Sequence, residues 1–293
     1  MQRKMMLIIN PFSGRGISRL ALGTVVSQLC SSEYTVSVYF AGEMTVEELA
    51  FNFANNHDLV VCVGGDGTLS GSVSGLLRAG SKTPIGYIPT GTANDVASTL
   101  ALSKSLSTAA ANIINGSERA LDIGDFGGRY FTYVAAFGAF TGVSYRTTPA
   151  AKKALGHFAY VLGGLSDVAA IKPIRTIVEF DGGIIEGDYI FGGVVNSTSV
   201  AGMIKLDPER VDLADGMFEI ILVKQPLNVT DFLAIITGLS TKSYDGDNVI
   251  MLHSSEVKFI LEEEVAWTVD GEFGGNHKEI EIKNCKEAIK IIV

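Results

Sequence analysis

Four short apolar runs, "MLIIN", "YTVSVYF", "DLVVCV" and "PIGYIP", recur through the first 120 residues and alternate with stretches whose apolar positions fall three and four apart. Unbroken apolar runs read as strands without a wet side, and 3.6-residue spacing reads as helix with one buried face. Between the first two runs, Ile17, Leu20, Ala21, Val25 and Leu29 are placed on one helical side. Strands and helices in alternation predict a parallel sheet covered on both faces. After about residue 122 the rhythm changes. "TIVEFDGGIIEGDYIFGGVV", "GMFEIILVK", "EVKFILEEEVAWTVDGEF" and "KEIEIKNCKEAIKIIV" read as β segments, several joined by Asp-Gly pairs suited to hairpin turns. The second half is therefore expected to be mostly antiparallel β, with "EEE" at 262–264 a solvated turn and one helix at about 151–171.

Composition narrows the chemistry. The 293 residues are 47% hydrophobic and 19% charged, enough for two ordinary cores. Twenty-three Lys and Arg against 32 Asp and Glu give a net charge of -9, the wrong sign for a sequence-independent grip on nucleic acid. Cys30, Cys62 and Cys285 lie far apart in apolar surroundings, as expected of buried thiols in a reducing compartment. "MMLIIN" is too brief for a signal-peptide core, and no apolar run reaches the roughly 18 residues of a spanning helix. A cytoplasmic protein is expected.

Three glycine-bearing polar loops follow predicted strands: "NPFSGRG" from Asn10, "GGDGTLSG" from Gly64, and "PTGTANDVA" from Pro89. Carboxyl ends of parallel strands are where open α/β sheets bind ligands, because backbone N–H groups and helix amino ends converge there. The second loop is neither a Walker loop nor a dinucleotide fingerprint, since Ser70 stands where the third glycine would be. Asn10, Ser13, Thr68, Thr92 and Asn94 offer neutral hydrogen-bonding groups, and Arg15 offers a charge. A carboxylate beside phosphates is repelled unless a cation intervenes, so Asp66 suggests a Mg²⁺-nucleotide complex. It could equally shape the turn or cap the following helix, and the residues alone leave both open. Likewise, Glu272 reads first as a solvated residue beyond a hairpin turn, and "DLADG" as an acidic turn. His57, His157, His253 and His277 have no metal-ligand spacing, which argues against zinc.

The motifs "NPFSG", "GGDGT" and "PTGTAND", followed by a β-rich half, resemble the diacylglycerol kinase catalytic-domain family, specifically its soluble bacterial lipid kinases. The resemblance covers nearly the whole chain. "GGDGT" is shared with NAD kinases, whereas G-T-x-N-D is more particular to lipid kinases. The resemblance implies a doubly wound α/β nucleotide-binding domain at residues 1–122 and an antiparallel β-sandwich domain at 123–293. It implies that Asn10, Pro11, Phe12, Ser13 and Gly14, then Gly64, Gly65, Asp66, Gly67, Thr68, Leu69 and Ser70, and Thr92, contact ATP. Asp66 would be the essential loop aspartate and Glu272 of "VDGE" the general base. "DLADGMF" would be a structural Mg²⁺ loop, with Asp215 giving its side chain and Asp212 and Met217 their carbonyls. The chain departs from the pattern at Ser70, where many relatives carry Asn, near Ala41, where some carry a nucleotide-contacting Thr, and at Asp212, where Lys is frequent.

The implied function is ATP-dependent, Mg²⁺-requiring phosphorylation of a hydroxyl on diacylglycerol or a related lipid. The alternatives are an NAD kinase-like or sphingoid/ceramide-type kinase, and a non-catalytic nucleotide or lipid sensor. "GTANDVA" speaks against the NAD kinase, and keeping both Asp66 and Glu272 speaks against the sensor. The expected partner is a lipid alcohol at the membrane surface, with the protein peripheral at the inner membrane; a homodimer is left open. Arg146, Lys152 and Lys153 precede a stretch with His157, Phe158 and Tyr160 that reads either as a membrane contact or as a core-packing helix with a wet face.

Overall fold

The computed structural model describes residues 2–13, 18–139, 172–200, 204–209, 211–242, 244 and 248–293, without the side chains of 19, 229 and 236. Strands β1 (Arg3–Ile9), β2 (Tyr34–Phe40), β3 (Leu59–Gly64) and β4 (Ile85–Pro89) form a parallel sheet in the order β2-β1-β3-β4. They alternate with α1 (Arg19–Cys30), α2 (Val46–Phe53) and α3 (Asp66–Arg78), and α4 (Asp95–Thr99) and α5 (Leu106–Asn115) follow β4. The pleat sorts the side chains of β1 between two cores. Met5, Leu7 and Ile9 pack with Val25 and Leu29 of α1 and with Ala109, Ala110 and Ile113 of α5. Met6 and Ile8 pack with Leu49 and Ala50 of α2 and with Val73 and Leu76 of α3. The sheet is thus wound on both faces.

Two local expectations change. β2 is the edge strand, and Val38 and Phe40 are 40% and 57% exposed, so that strand has a wet side after all. Leu20 is 84% exposed. Five residues before Val25, it lies about 140° round the helix from the stripe formed by Leu22, Val25, Val26 and Leu29.

The rest is antiparallel apart from one parallel contact of β15 with β4: β5 (Glu118–Phe126), β6 (Arg129–Phe131), β7 (Val134–Gly138), β8 (Ile174–Phe180), β9 (Gly183–Val195), β12 (Phe218–Lys224), β13 (Val249–Ser254), β14 (Glu256–Val269) and β15 (Glu272–Ile292). The short strands β10 (Ser199–Val200) and β11 (Ile204–Lys205) pair separately. The long strands serve both layers of a sandwich. β14 pairs β8 through Val257–Leu261 and β7 through Trp267–Val269, and β9 pairs the same two strands in succession. Trp267 fills the centre, its ring 4.8 to 5.3 Å from those of Phe126, Phe137 and Phe259. Residues 262–264 are not a turn between strands: β14 runs through them, with a register shift between Ile260 and Val265 that keeps the three carboxylates exposed.

The expected helix at 151–171 lies outside the described residues, whereas α6 (Val229–Thr241) was not anticipated. Asn228 caps it, its Oδ1 accepting from Asp231 N at 2.9 Å, and Phe232, Ile235 and Leu239 are buried. Finally, β15 leaves its hairpin with β14 to pair β5, and its Ile291 aligns with Ile85 of β4. No helix of the described residues is long and apolar enough to cross a membrane.

Candidate active site

β1, β3 and β4 end side by side, and their loops are stitched together. Asn10 N donates to Val63 O at 3.1 Å and Thr90 N to Gly64 O at 2.7 Å. Asn10 Nδ2 donates to Thr68 Oγ1 at 3.1 Å, Asn10 Oδ1 accepts from Phe12 N, and Ser13 Oγ lies 3.3 Å from Thr90 Oγ1. Glycine is required here for close approach: a Cβ on Gly64 would overlap the Thr68 side chain, and one on Gly65 would stand 3.2 Å from Gly91 Cα. Gly65 begins α3 with no side-chain cap, which leaves the helix amino end able to meet an anion.

The remaining loop residues divide. Pro11, Phe12, Gly67 and Thr92 are exposed, while Leu69 is fully buried and can offer only backbone. Asn94 is not the free donor expected. It adopts left-handed φ 52°, its Oδ1 accepts from Gly91 N and Tyr87 Oη, and its Nδ2 donates to Gly91 O, so it braces the third loop. Gly14 and Arg15 lie outside the described residues, as do Arg146, Lys152, Lys153, His157, Phe158 and Tyr160.

Asp66 opens α3, and its Oδ1 accepts from Val96 N at 3.3 Å. Burial, and then the charge of Asp95, push its carboxyl up from 3.8 to about 6. Asp95 is itself buried and accepts from Ser199 Oγ at 3.1 Å. Two neighbouring carboxylates beside an uncapped helix end have the donor chemistry for a hard divalent cation carried by phosphates.

In the β-rich half, Asp270 and Gly271 turn β14 into β15 with φ 48° and 81°, the left-handed pair that a tight hairpin demands. The Asp270 carboxylate points inward. It accepts from Thr132 N (2.7 Å), Thr132 Oγ1 (2.9 Å), Tyr133 N (3.0 Å) and Val134 N (3.1 Å), and Ser70 of α3 is a further hydrogen-bonding neighbour. Burial raises its pKa against the pull of these donors. With Asp270 turned in, Glu272 is turned out. Its Oε2 accepts from Arg129 Nη2 at 3.3 Å, and its Oε1 lies 3.6 Å from the position a Cβ on Gly67 would occupy. The carboxylate of the second half therefore faces the glycine loop of the first.

In the 212–217 loop, Asp212 Oδ1 accepts from Ala214 N and Asp215 Oδ1 from Met217 N, while Met217 O accepts from Asn284 Nδ2. Asp215 Oδ2 stands 3.5 Å from His253 Nε2. The buried Asn284 Oδ1 has no partner among the described residues. Among the described residues no three His, Cys, Asp or Glu gather as a metal cage. One carboxylate with hard carbonyl oxygens still fits a Mg²⁺ that keeps most of its waters.

Sequence reasoning missed the carboxylates that hold these loops. Asp122, fully buried in β5, accepts from Gly216 N and Glu287 N at 2.7 Å each, with its pKa raised by burial. Glu219, paired across strands with His253, is pushed up to about 8 by burial. The available signal was an acidic residue inside an apolar strand, as in "ALDIG".

Residues 4–126 match the diacylglycerol kinase catalytic domain, and residues 136–293 match the YegS C-terminal NAD kinase beta sandwich-like domain. A protein named diacylglycerol kinase from Bacillus subtilis (strain 168) is 32% identical over 276 residues, covering 92% of this chain and 89% of its own. One of the same name from Staphylococcus aureus (strain Newman) is 31% identical over 280 residues, covering 94% and 88%. A crystal structure of a diacylglycerol kinase from Bacillus anthracis str. Sterne superposes with a TM-score of 0.78 at 21% identity, over 99% of this chain and 96% of that one. At that identity the likeness is one of fold.

Proposed function

The chain belongs to the diacylglycerol kinase catalytic-domain family of lipid kinases, and on that footing we propose that it transfers the γ-phosphoryl group of ATP to a hydroxyl of diacylglycerol or a related lipid alcohol. The observation that carries this reading is Glu272 Oε1 facing Gly67, which puts a proton acceptor opposite a phosphate-binding helix end. The three loops and the amino end of α3 hold the phosphates. Glu272 takes the proton of the acceptor hydroxyl as that oxygen bonds to the γ-phosphorus and the bond to the bridging β,γ-oxygen breaks, releasing ADP. Asp66 and Asp95 would hold the nucleotide's Mg²⁺, and Asp215 with the Asp212 and Met217 carbonyls would hold a structural one. Such an ion, when bound, neutralises phosphate charge.

The acceptor resides in a bilayer, so the enzyme works at a membrane surface. Arg146, Lys152 and Lys153 are the candidate contact with anionic lipid, and replacing Lys152 and Lys153 by neutral residues should weaken turnover on anionic vesicles.

The test compares wild type with Glu272→Gln, using labelled ATP against a lipid panel and against NAD. Wild type should label a lipid. The variant should lose about 10²- to 10⁴-fold in kcat while binding nucleotide normally. Transfer to NAD alone, or undiminished turnover by the variant, would refute the assignment.

A further inference from the structure

Glu272 is a long side chain, 72% exposed, just beyond a tight turn. Left to itself it would sample several rotamers. Arg129 supplies what holds it. The residue begins β6, immediately after a two-glycine turn (Gly127 φ 57°, Gly128 φ 94°) closed by Asp125 Oδ1, which accepts from Gly128 N at 2.6 Å. From there the guanidinium reaches the other hairpin and makes two bonds of different kinds. Nη1 donates to the backbone carbonyl of Phe273 at 2.6 Å, and Nη2 donates to Glu272 Oε2 at 3.3 Å. The first bond fixes the guanidinium whether or not Glu272 is present. The second then occupies one carboxylate oxygen and leaves the other, Oε1, toward Gly67. Among the described residues Glu272 has no other ion-pair partner.

We propose that Arg129 is a positioning residue for Glu272: anchored on Phe273 O, it clamps Oε2 so that Oε1 stays aimed at the amino end of α3, where acceptor hydroxyl and γ-phosphate meet. The proposal rests on Glu272 being the base and adds how that base is aimed. The pair is too exposed to matter much for folding, since solvent-exposed ion pairs add little to stability. Its consequence is geometric, because displacing a reacting group by about 1 Å can cost about 10²-fold in rate. A lysine could not substitute fully. Its single ammonium lacks the planar fork that spans a carbonyl and a carboxylate at once.

The experiment uses the full chain with ATP and diacylglycerol in mixed vesicles, comparing wild type, Arg129→Ala, Arg129→Lys, Glu272→Gln and the Arg129→Ala/Glu272→Gln double variant. Arg129→Ala should lose about 10²-fold in kcat, with ATP KM and nucleotide affinity within about twofold of wild type and an unchanged melting temperature. Arg129→Lys should recover part of the loss. Added guanidinium ion should stimulate Arg129→Ala and leave the double variant unstimulated, because the clamp has nothing left to hold. The double variant should be no slower than Glu272→Gln alone. A raised ATP KM with kcat preserved would overturn the proposal by making Arg129 a phosphate ligand. So would the full 10²-fold loss persisting on top of Glu272→Gln, or a kcat that Arg129→Ala leaves unchanged. If Glu272→Gln alone were unimpaired, the base assignment itself would fall, and that result is read independently of any Arg129 variant.

Discussion

At the amino end of α3, burial and the neighbouring Asp95 lift the Asp66 carboxyl from 3.8 to about 6, so its ionised form is the one the fold disfavours. The folded pKa is the higher of the two. The folded state therefore keeps a proton that the unfolded chain has already released, and stability is lost as pH rises from about 4 through about 6. Asp66→Asn removes that loss. The variant should be more stable than wild type at pH 8 by up to about 3 kcal/mol and so melt higher, and the gap should close below about pH 4, as followed by thermal melts across pH. A gap that stays constant with pH would mean the carboxylate is not strained. The same variant should not turn over. Gly67 separates the two demands in another way. Alanine there favours helix by up to about 1 kcal/mol, and its methyl would meet Glu272 Oε1 at an ordinary 3.6 Å. Gly67→Ala should fold as well as wild type, yet lose about tenfold in kcat because the methyl occupies the space between base and loop. A melting temperature that falls together with kcat would count against that account.

Among the elements, the β14–β15 hairpin depends on one side chain. Asp270→Ala would strand three buried N–H groups and the Thr132 hydroxyl, and would place an alanine at φ 48°. A loss of more than about 3 kcal/mol is expected in urea unfolding. A change below about 1 kcal/mol would show that water replaces the carboxylate. This residue also marks where sequence reading stops. "VDG" announces the turn from two adjacent residues, but its acceptor role depends on partners 136 to 138 positions away. Asp122 is hidden for the same reason, since its partners lie 94 and 165 positions off. What is legible is what is local. β1, β3 and β4 are continuous apolar runs, and because ligand loops follow from a parallel sheet's topology, the sequence pattern alone puts Asp66 beside the loops of Asn10 and Thr90. α6 was missed because "FLAII" is as good a strand as a helix core until Asn228 is seen to cap it. β14 concealed its own continuity, since a bulge lets three glutamates interrupt an apolar period without ending the strand.

For the whole molecule, β15 decides whether the two halves can melt apart. Its first part forms the hairpin with β14 over the Trp267 core, and its last residues lie on β5 and against Ile85 of the parallel sheet. Ile291 is fully buried there, in one cluster with Val60, Tyr87 and Leu121. A defect at this seam weakens the parallel sheet and pulls on the strand that carries Glu272 at its other end. Ile291→Ala should cost about 2–5 kcal/mol through the lost methylenes and the cavity they leave. Trp267 is the chain's single tryptophan and sits in the sandwich, so its fluorescence reports the half that the substitution does not touch. Coupled halves require that the Trp267 transition, the far-UV transition and the loss of turnover all move down together as one cooperative step. A Trp267 transition left at its wild-type midpoint while the far-UV signal splits in two would mean that β15 joins the halves without coupling them. The facing of Glu272 and Gly67 would then owe nothing to the shared strand.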